Sequence, residues 1–389
     1  MPEPNPEAVD VAVIGGGVIG LSVAWRARCR GLRVVVLERG RAGQGTSGVA
    51  AGMLAPITEA TLAEQPLLEL GLRSARQYRQ FAHELAVAAG TDDVGYLPCG
   101  TLLVARDVDE AQALERELDL RRTLGLDVRR LLASAARRLE PGLAPALRLA
   151  LAISGDHAID PRRLAAVLTS ALTRAGGELW EQTTVAGLTY TAGRAGGVEL
   201  DDGRELSAGA VVIAAGPWSG WLGDLPGARA PWLRPVKGQI LRLHDPAGPG
   251  LLGRVLRMGS SYIVPRGDGR YVIGATTEER GFDTTVTAGA AFELLRDAGE
   301  LLPGVSELVI DEFAAGLRPG TADNLPVIGQ DAVPGLHWAT GHGRSGILLA
   351  PVTAELICSQ LLGQPVAPWA ATFTPARFRP VATAAGSAA

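Results

Sequence analysis

The run Asp10-Val-Ala-Val-Ile-Gly-Gly-Gly-Val-Ile-Gly-Leu-Ser22, followed by Arg33-Val-Val-Val-Leu-Glu38, decides the fold. An apolar segment meets glycines at 15, 17 and 20, a small-residue helix follows, and a second apolar segment ends in an acid. Gly15 suits the tight strand-to-helix turn, Gly17 lets backbone approach a pyrophosphate, and Gly20 lets the helix pack on the sheet. The helix N-terminus then offers free N–H groups and partial positive charge to phosphate. Glu38, 23 positions after Gly15, lies where a carboxylate accepts hydrogen bonds from an adenosine ribose. Gly-rich turns alone mean little in a chain with 50 glycines. The two flanking strands, the spacing and the acid together read as a Rossmann-type dinucleotide site, against a plain tight turn in another α/β protein.

The chain has 389 residues, enough for two domains with sizeable cores. Hydrophobic residues make up 47% and charged residues 20%, as in globular proteins. The net charge is −4 with both signs interspersed, which argues against a nucleic-acid surface or a polybasic membrane patch. The start, Met1-Pro-Glu-Pro-Asn-Pro-Glu7, lacks a basic and then apolar signal region, and the glycines in Val11–Trp25 argue against a membrane span. Cys29, Cys99 and Cys358 are odd in number and far apart, so neither a disulfide framework nor a CxxC site is expected. A reducing cytoplasm is the expected location.

Beyond residue 40, helical spacing marks 60–90 and 107–125, and Tyr96–Ala105 reads as a strand entered through a Pro/Gly turn. Asp160-Pro161 supplies an N-cap and a proline at the first helical position. Asp202-Gly203 marks a hairpin into Ala210–Gly216. Residues 230–312 alternate like β strands, unlike either end of the chain. The expected fold class is α/β (α+β): a Rossmann-type domain carrying an inserted domain built on an antiparallel sheet. Its expected pieces are 1–80, 150–225 and 313–375 for the dinucleotide domain and 81–149 and 226–312 for the substrate domain. The Ala/Gly/Ser-rich tail 380–389 reads as disordered.

Several local runs resemble the D-amino-acid oxidase superfamily of flavoproteins. They are Thr46-Ser47, Ala50-Ala-Gly-Met-Leu-Ala-Pro56, Ala214-Ala-Gly-Pro-Trp-Ser219, Ser261-Tyr-Ile-Val-Pro-Arg266, Gly316-Leu-Arg-Pro-Gly-Thr321 with Ala322-Asp-Asn-Leu-Pro-Val-Ile-Gly329, Gly341-His-Gly-Arg-Ser-Gly-Ile-Leu-Leu-Ala-Pro351, and the close Phe373-Thr-Pro-Ala-Arg-Phe378. They occur in family order over nearly the whole chain. Ala-Ala-Gly-Met-Leu, Gly-Leu-Arg-Pro-Gly-Thr and Arg-Ser-Gly-Ile-Leu-Leu-Ala-Pro look most like the glycine-oxidase branch. The resemblance implies non-covalent FAD, a cytoplasmic homotetramer, molecular oxygen as acceptor, and oxidation of glycine or other small amines, sarcosine and small D-amino acids included, to an imine that feeds thiazole formation in thiamine biosynthesis. Its alternative within the same chemistry is a D-amino-acid or sarcosine oxidase, or a dehydrogenase with another electron acceptor. A non-catalytic dinucleotide-binding module is the reading from a different class.

Carried over by position, the resemblance assigns FAD contacts to Val18, Ile19, Glu38, Arg39, Thr46, Ser47, Ala51, Gly52, Met53, Val185, His342, Gly343, Arg344, Ser345, Gly346, Ile347 and Leu348, beside the Gly15/Gly17/Gly20 turn. Arg318 would hold the substrate carboxylate, Tyr262 would donate its hydroxyl, and Arg344 would lie beside substrate and flavin. A guanidinium grips a carboxylate through two parallel hydrogen bonds, and Arg318 is flanked by Gly316, Pro319 and Gly320, read as a turn aiming it inward. The competing readings are a surface arginine for Arg318, a core tyrosine for Tyr262, a structural ion pair for Arg344 and core packing for Met53. Hydride removal from Cα needs a neutral amine and positioning, with no protein acid or base, nucleophile or metal. The five histidines form no HxH or HExxH pattern. Thr277 stands where some glycine oxidases carry methionine, and Gly343 replaces a larger residue, so substrate breadth turns on these two positions.

Overall fold

The computed structural model describes residues 8–221 and 233–378. The expected junction at 225/226 and the tail 380–389 lie outside the described residues.

The apolar runs of the opening motif form the middle of a parallel sheet. Val9–Ile14 pairs in parallel with Val34–Leu37 on one side and Glu205–Ile213 on the other. Glu178–Trp180 extends the first flank, and Leu336–Thr340 lies parallel to Glu205–Ile213. Strands covered on both faces need continuous hydrophobicity in place of alternation, which Val-Val-Val-Leu and Ala-Val-Val-Ile provide. One face carries the helices Val18–Cys29, Gln65–Ala89, Pro161–Arg174 and Gly346–Leu361, which share one core with Trp25 edge-on to Phe81 at 5.6 Å. Gly346–Leu361 is apolar nearly all round, as a helix packed against Val18–Cys29 and Gln65–Ala89 must be. The expected cap holds: Asp160 accepts from the N–H groups of Arg162 and Arg163.

A second, mostly antiparallel sheet runs Val309–Thr321, Leu233–His244, Arg270–Gly274, Ser261–Pro265, Val255–Met258, Thr101–Ala105, Leu149–Ile153, Arg129–Leu132. A three-stranded ribbon of Met53–Leu54, His157–Ile159 and Tyr96–Leu97 joins the two halves.

Sheet membership moves several expected boundaries. Gln65–Ala89 is one unbroken helix on the dinucleotide side, so the division at 80/81 falls inside it. The expected strand 96–105 is two strands in different sheets, divided at Pro98-Cys99-Gly100. Leu149–Ile153 pairs with Thr101–Ala105 and belongs to the antiparallel sheet. Val309–Thr321 pairs along its length with Leu233–His244, so the return to the first domain comes at Val327–Gln330, not 313. Arg318 therefore sits in an extended edge strand and not in the expected turn. Pro319 faces Pro235 in register and Gly316 lies against Val49, where a Cβ would approach to 2.9 Å. Proline is tolerated at an edge and glycine at a close approach, so a sequence resembling a turn folds as a strand.

Candidate active site

The C-terminal ends of the parallel strands and the inner face of the antiparallel sheet enclose a cleft of about 890 Å³. Its first half comes from the glycine turn. Gly15 has φ +110°, and a Cβ on it would lie 2.5 Å from the Ala214 carbonyl oxygen. A Cβ on Gly20 would meet the Gly15 carbonyl oxygen at 1.9 Å, so Gly20 fixes the helix to the turn and is the one assigned residue that does not line the cleft. Gly17 differs. A Cβ there meets only Ser47 Oγ, at 3.3 Å, and otherwise projects into the cleft. That is a cradle kept free of side chain at the N-terminus of Val18–Cys29, the arrangement a pyrophosphate requires.

Glu38 Oε2 accepts from the Gly16 N–H at 2.7 Å and Oε1 from the Gly40 N–H at 2.8 Å. A carboxylate has about four lone-pair positions, so this fixes its direction and leaves capacity for ribose hydroxyls. The Arg39 guanidinium lies 4.0 Å from the Trp218 ring centroid. Ser47 Oγ accepts from the Val18 N–H, and the Thr46 hydroxyl donates to the Leu317 carbonyl, tying the short helix Thr46–Val49 to both domains. Ala51, Gly52, Met53, Val185 and the continuous stretch His342–Leu348 complete the walls. His342 Nε2 lies 2.9 Å from the Thr353 hydroxyl, and burial pushes its pKa down to about 3, so the ring is a neutral structural group. The volume, the open space before Gly17 and the oriented Glu38 fit FAD.

The second half comes from the antiparallel sheet. Arg318 lies across Gly238, where a Cβ would meet the guanidinium at 2.5–2.6 Å. It donates to the Thr276 carbonyl at 3.1 Å and, at 3.5 Å, to that of Lys237. Among the described residues it forms no ion pair with a carboxylate. The Tyr262 ring covers Gly274 with its hydroxyl beside Arg318. Burial raises the phenol pKa against the pull of that guanidinium, which keeps the hydroxyl a donor.

Arg344 lines the cleft, yet its guanidinium is already held: Nε donates to Glu59 at 2.8 Å and Nη2 to Glu64. The ion-pair reading of this residue is the one the geometry displays. Glu59 and its second partner Arg257, 3.2 Å away, also face the cleft. Neither was singled out from the sequence. The available signal was an acid in Pro56-Ile-Thr-Glu59, directly after a family-like run. Asp156, pushed up to about 6 by burial, accepts from the Ile57 and Thr58 N–H groups, and Arg121 donates to both carbonyls, so the Glu59 loop is fixed from below. Thr277 lines the wall, and beside Gly343 there is open space where a Cβ would be.

A family model described as FAD dependent oxidoreductase, DAO, matches residues 10–360. The chain is 36% identical over 350 residues to a glycine oxidase of Geobacillus kaustophilus, covering 90% of this chain and 91% of that protein. It is 35% identical over 374 residues to a bifunctional protein ThiO/ThiG of Synechocystis sp., covering 95% of this chain and 54% of the relative, so it spans about half the length of that protein. Among solved structures it superposes on the glycine oxidase from Geobacillus kaustophilus with a TM-score of 0.88 at 34% identity, covering 96% of this chain and all of the other. An iminodiacetate oxidase from Chelativorans sp. superposes at 0.85 and 31% identity, covering 94% and 98%.

Proposed function

This chain belongs to the DAO family of FAD dependent oxidoreductases, and from that premise we propose that it is an amino-acid oxidase acting on glycine and other small amines. The products are the imine, then the 2-oxo acid and ammonia, with oxygen reduced to hydrogen peroxide and the imine available for thiazole formation in thiamine biosynthesis. The similarity to glycine oxidases and to the ThiO/ThiG protein supports this reading. The observation that carries it is Arg318, a guanidinium aimed into the cleft, held by a backbone carbonyl, with no carboxylate on it among the described residues.

When bound without a covalent link, FAD supplies the two-electron acceptor for the hydrogen on the substrate's Cα. Gly15, Gly17 and Glu38 would hold its pyrophosphate and ribose, and Thr46, Ser47, Ala51–Met53, Val185 and His342–Leu348 its remaining surface. Arg318 grips the carboxylate with a fixed fork and Tyr262 adds a hydroxyl donor, which together fix where Cα lies. Met53, Thr277 and Trp218 form walls that limit substrate size and exclude water. Arg344 and Arg257 share Glu59 and Arg234 pairs with Glu279, whereas Arg318 has no carboxylate partner among the described residues, which makes it the anchor. A cytoplasmic location and a homotetramer complete the proposal. The three cysteines are free thiols, as suits a reducing compartment, and Val309 and Ile310 lie exposed on an edge strand that a second copy would cover. Release of hydrogen peroxide from a panel of glycine, sarcosine, D-alanine and D-proline tests the reading. Oxygen consumption with none of them overturns it, and dye reduction without peroxide reassigns the acceptor.

Two expectations follow from the walls. His342 stays neutral above about pH 3 and His337 above about pH 4, while burial raises the Tyr262 pKa, so none of the three titrates across the ordinary assay range. The substrate ammonium must lose its proton before Cα is oxidised, so the rate with subsaturating glycine should climb toward alkaline pH. An acidic limb that disappears on replacing one histidine or carboxylate would reveal a protein base. Thr277→Met should fill the wall: kcat/KM for D-proline falls about tenfold or more while glycine changes little, the scale on which a pocket discriminates added methylenes. An unchanged ratio between the two substrates would take residue 277 out of the substrate wall.

A further inference from the structure

The chain contains 36 arginines and one lysine, Lys237, and that lysine is 1% exposed. It lies on Leu233–His244, the strand that pairs with the strand of Arg318. Side chains alternate along it: Val236, Gly238 and Ile240 face the cleft, whereas Lys237 and Gln239 point away, behind the wall on which Arg318 lies. There Lys237 Nζ donates to Asp283 Oδ2 at 3.1 Å and lies 3.9 Å from Glu278 Oε2. Both carboxylates belong to one segment after Arg270–Gly274, and that segment does three things at the cleft. It presents the Thr276 carbonyl to Arg318, it places Thr277 in the wall, and it sets Phe282 against Trp221, ring centroids 4.4 Å apart and tilted by 47°. Its root is docked by reciprocal backbone bonds between Lys237 and Glu278, and the Thr276 hydroxyl donates to Glu278 at 2.6 Å. A buried ammonium is tolerable only while its carboxylates stay in place, so the lysine penalises any displacement of this segment. A compact charge with three donors reaches two carboxylates from one point, which a planar guanidinium fits less well.

We propose that Lys237 is a positioning residue for substrate binding: from behind the sheet it latches the 276–283 segment through Asp283 and Glu278, and the segment aligns Arg318 through the Thr276 carbonyl. The proposal rests on the reading of Arg318 as the carboxylate anchor.

The test uses FAD-replete holoenzyme and two readouts, steady-state kinetics with glycine and the Kd of acetate, which carries the carboxylate alone, followed through the flavin absorption. Lys237→Met keeps the aliphatic stem and removes the charge. Its KM and its acetate Kd should both rise about tenfold, with kcat within about threefold and FAD content unchanged, the pattern of lost binding without lost chemistry. Asp283→Asn should move the same two quantities in the same direction. The double variant should be no worse than the worse single one, because the two residues act as a unit. A Lys237→Met holoenzyme with parental KM and acetate Kd overturns the proposal. If that variant does not fold, parental values in Asp283→Asn overturn it equally. Arg318→Ala measured alongside separates the two ideas. Parental acetate affinity there refutes the anchor itself, whereas its loss there with Lys237→Met unaffected refutes only the latch.

Discussion

Replacing Arg318 with alanine is expected to leave FAD bound while kcat/KM for glycine falls by roughly two to almost four powers of ten, the equivalent of about 3–5 kcal/mol for removing one partner of a buried charge pair. The two outcomes separate because the proposed flavin contacts lie mostly on the parallel-sheet side, whereas Arg318 lies on the antiparallel sheet, held by the Thr276 and Lys237 carbonyls beside the Tyr262 hydroxyl. Arg318→Lys should recover part of the loss, since an ammonium supplies the charge without the fork. The check is glycine kinetics together with the flavin-to-protein absorbance ratio. Activity near the parent value would mean that another cation takes the carboxylate. Arg344 would be next in line, and it would have to leave Glu59 and Glu64 to do so.

The second large effect concerns two glycines three residues apart. Gly17→Val should give a folded protein that purifies colourless, because the new side chain points into the cleft and meets only Ser47 Oγ. Gly20→Val should not give soluble native protein at all. Its Cβ would sit 1.9 Å from the Gly15 carbonyl oxygen, a backbone atom that cannot rotate away. Overpacking by one or two methylenes in a relaxed core costs about 1–3 kcal/mol, and a clash against backbone in a central turn exceeds that range. Circular dichroism and flavin absorption of both variants decide the matter. A yellow Gly17→Val protein would show that the pyrophosphate does not lie at this turn.

The parallel core was legible because its chemistry is local. Two apolar strands, three glycines and an acid within 29 residues carry their own geometry, and Glu38 sits at the glycine turn, bonded to the Gly16 and Gly40 N–H groups. The helices from 65 and 161 were legible for the same reason, through periodicity and an Asp-Pro cap. What failed to show was long-range pairing. Gly316-Leu-Arg-Pro-Gly-Thr321 has the composition of a turn, and only its partner, with Pro235 opposite Pro319, makes it a strand. Arg344 illustrates a second limit: it lines the cleft, but its ion pairs with Glu59 and Glu64 come from residues about 280 positions away, which no local pattern announces. Lys237 was invisible for a third reason. Its uniqueness can be counted in the sequence, but its burial beside Asp283 and Glu278 comes only from the fold.

The last long helix, Gly346–Leu361, packs directly on the first, Val18–Cys29, and Leu336–Thr340 completes the sheet that Val9–Ile14 begins. A nascent chain emerging from the ribosome therefore has its phosphate-binding turn in hand early, while the surface that closes over it arrives some 300 residues later. Until then the core around Val18–Cys29 lacks the part that Gly346–Leu361 supplies, and closing so long a loop is slow. Flavin capture is then expected only after His342–Leu348, which completes the cleft, has been made. Shortage of FAD would then leave a folded chain with an open cleft, and such a chain is a substrate of chaperones and proteases.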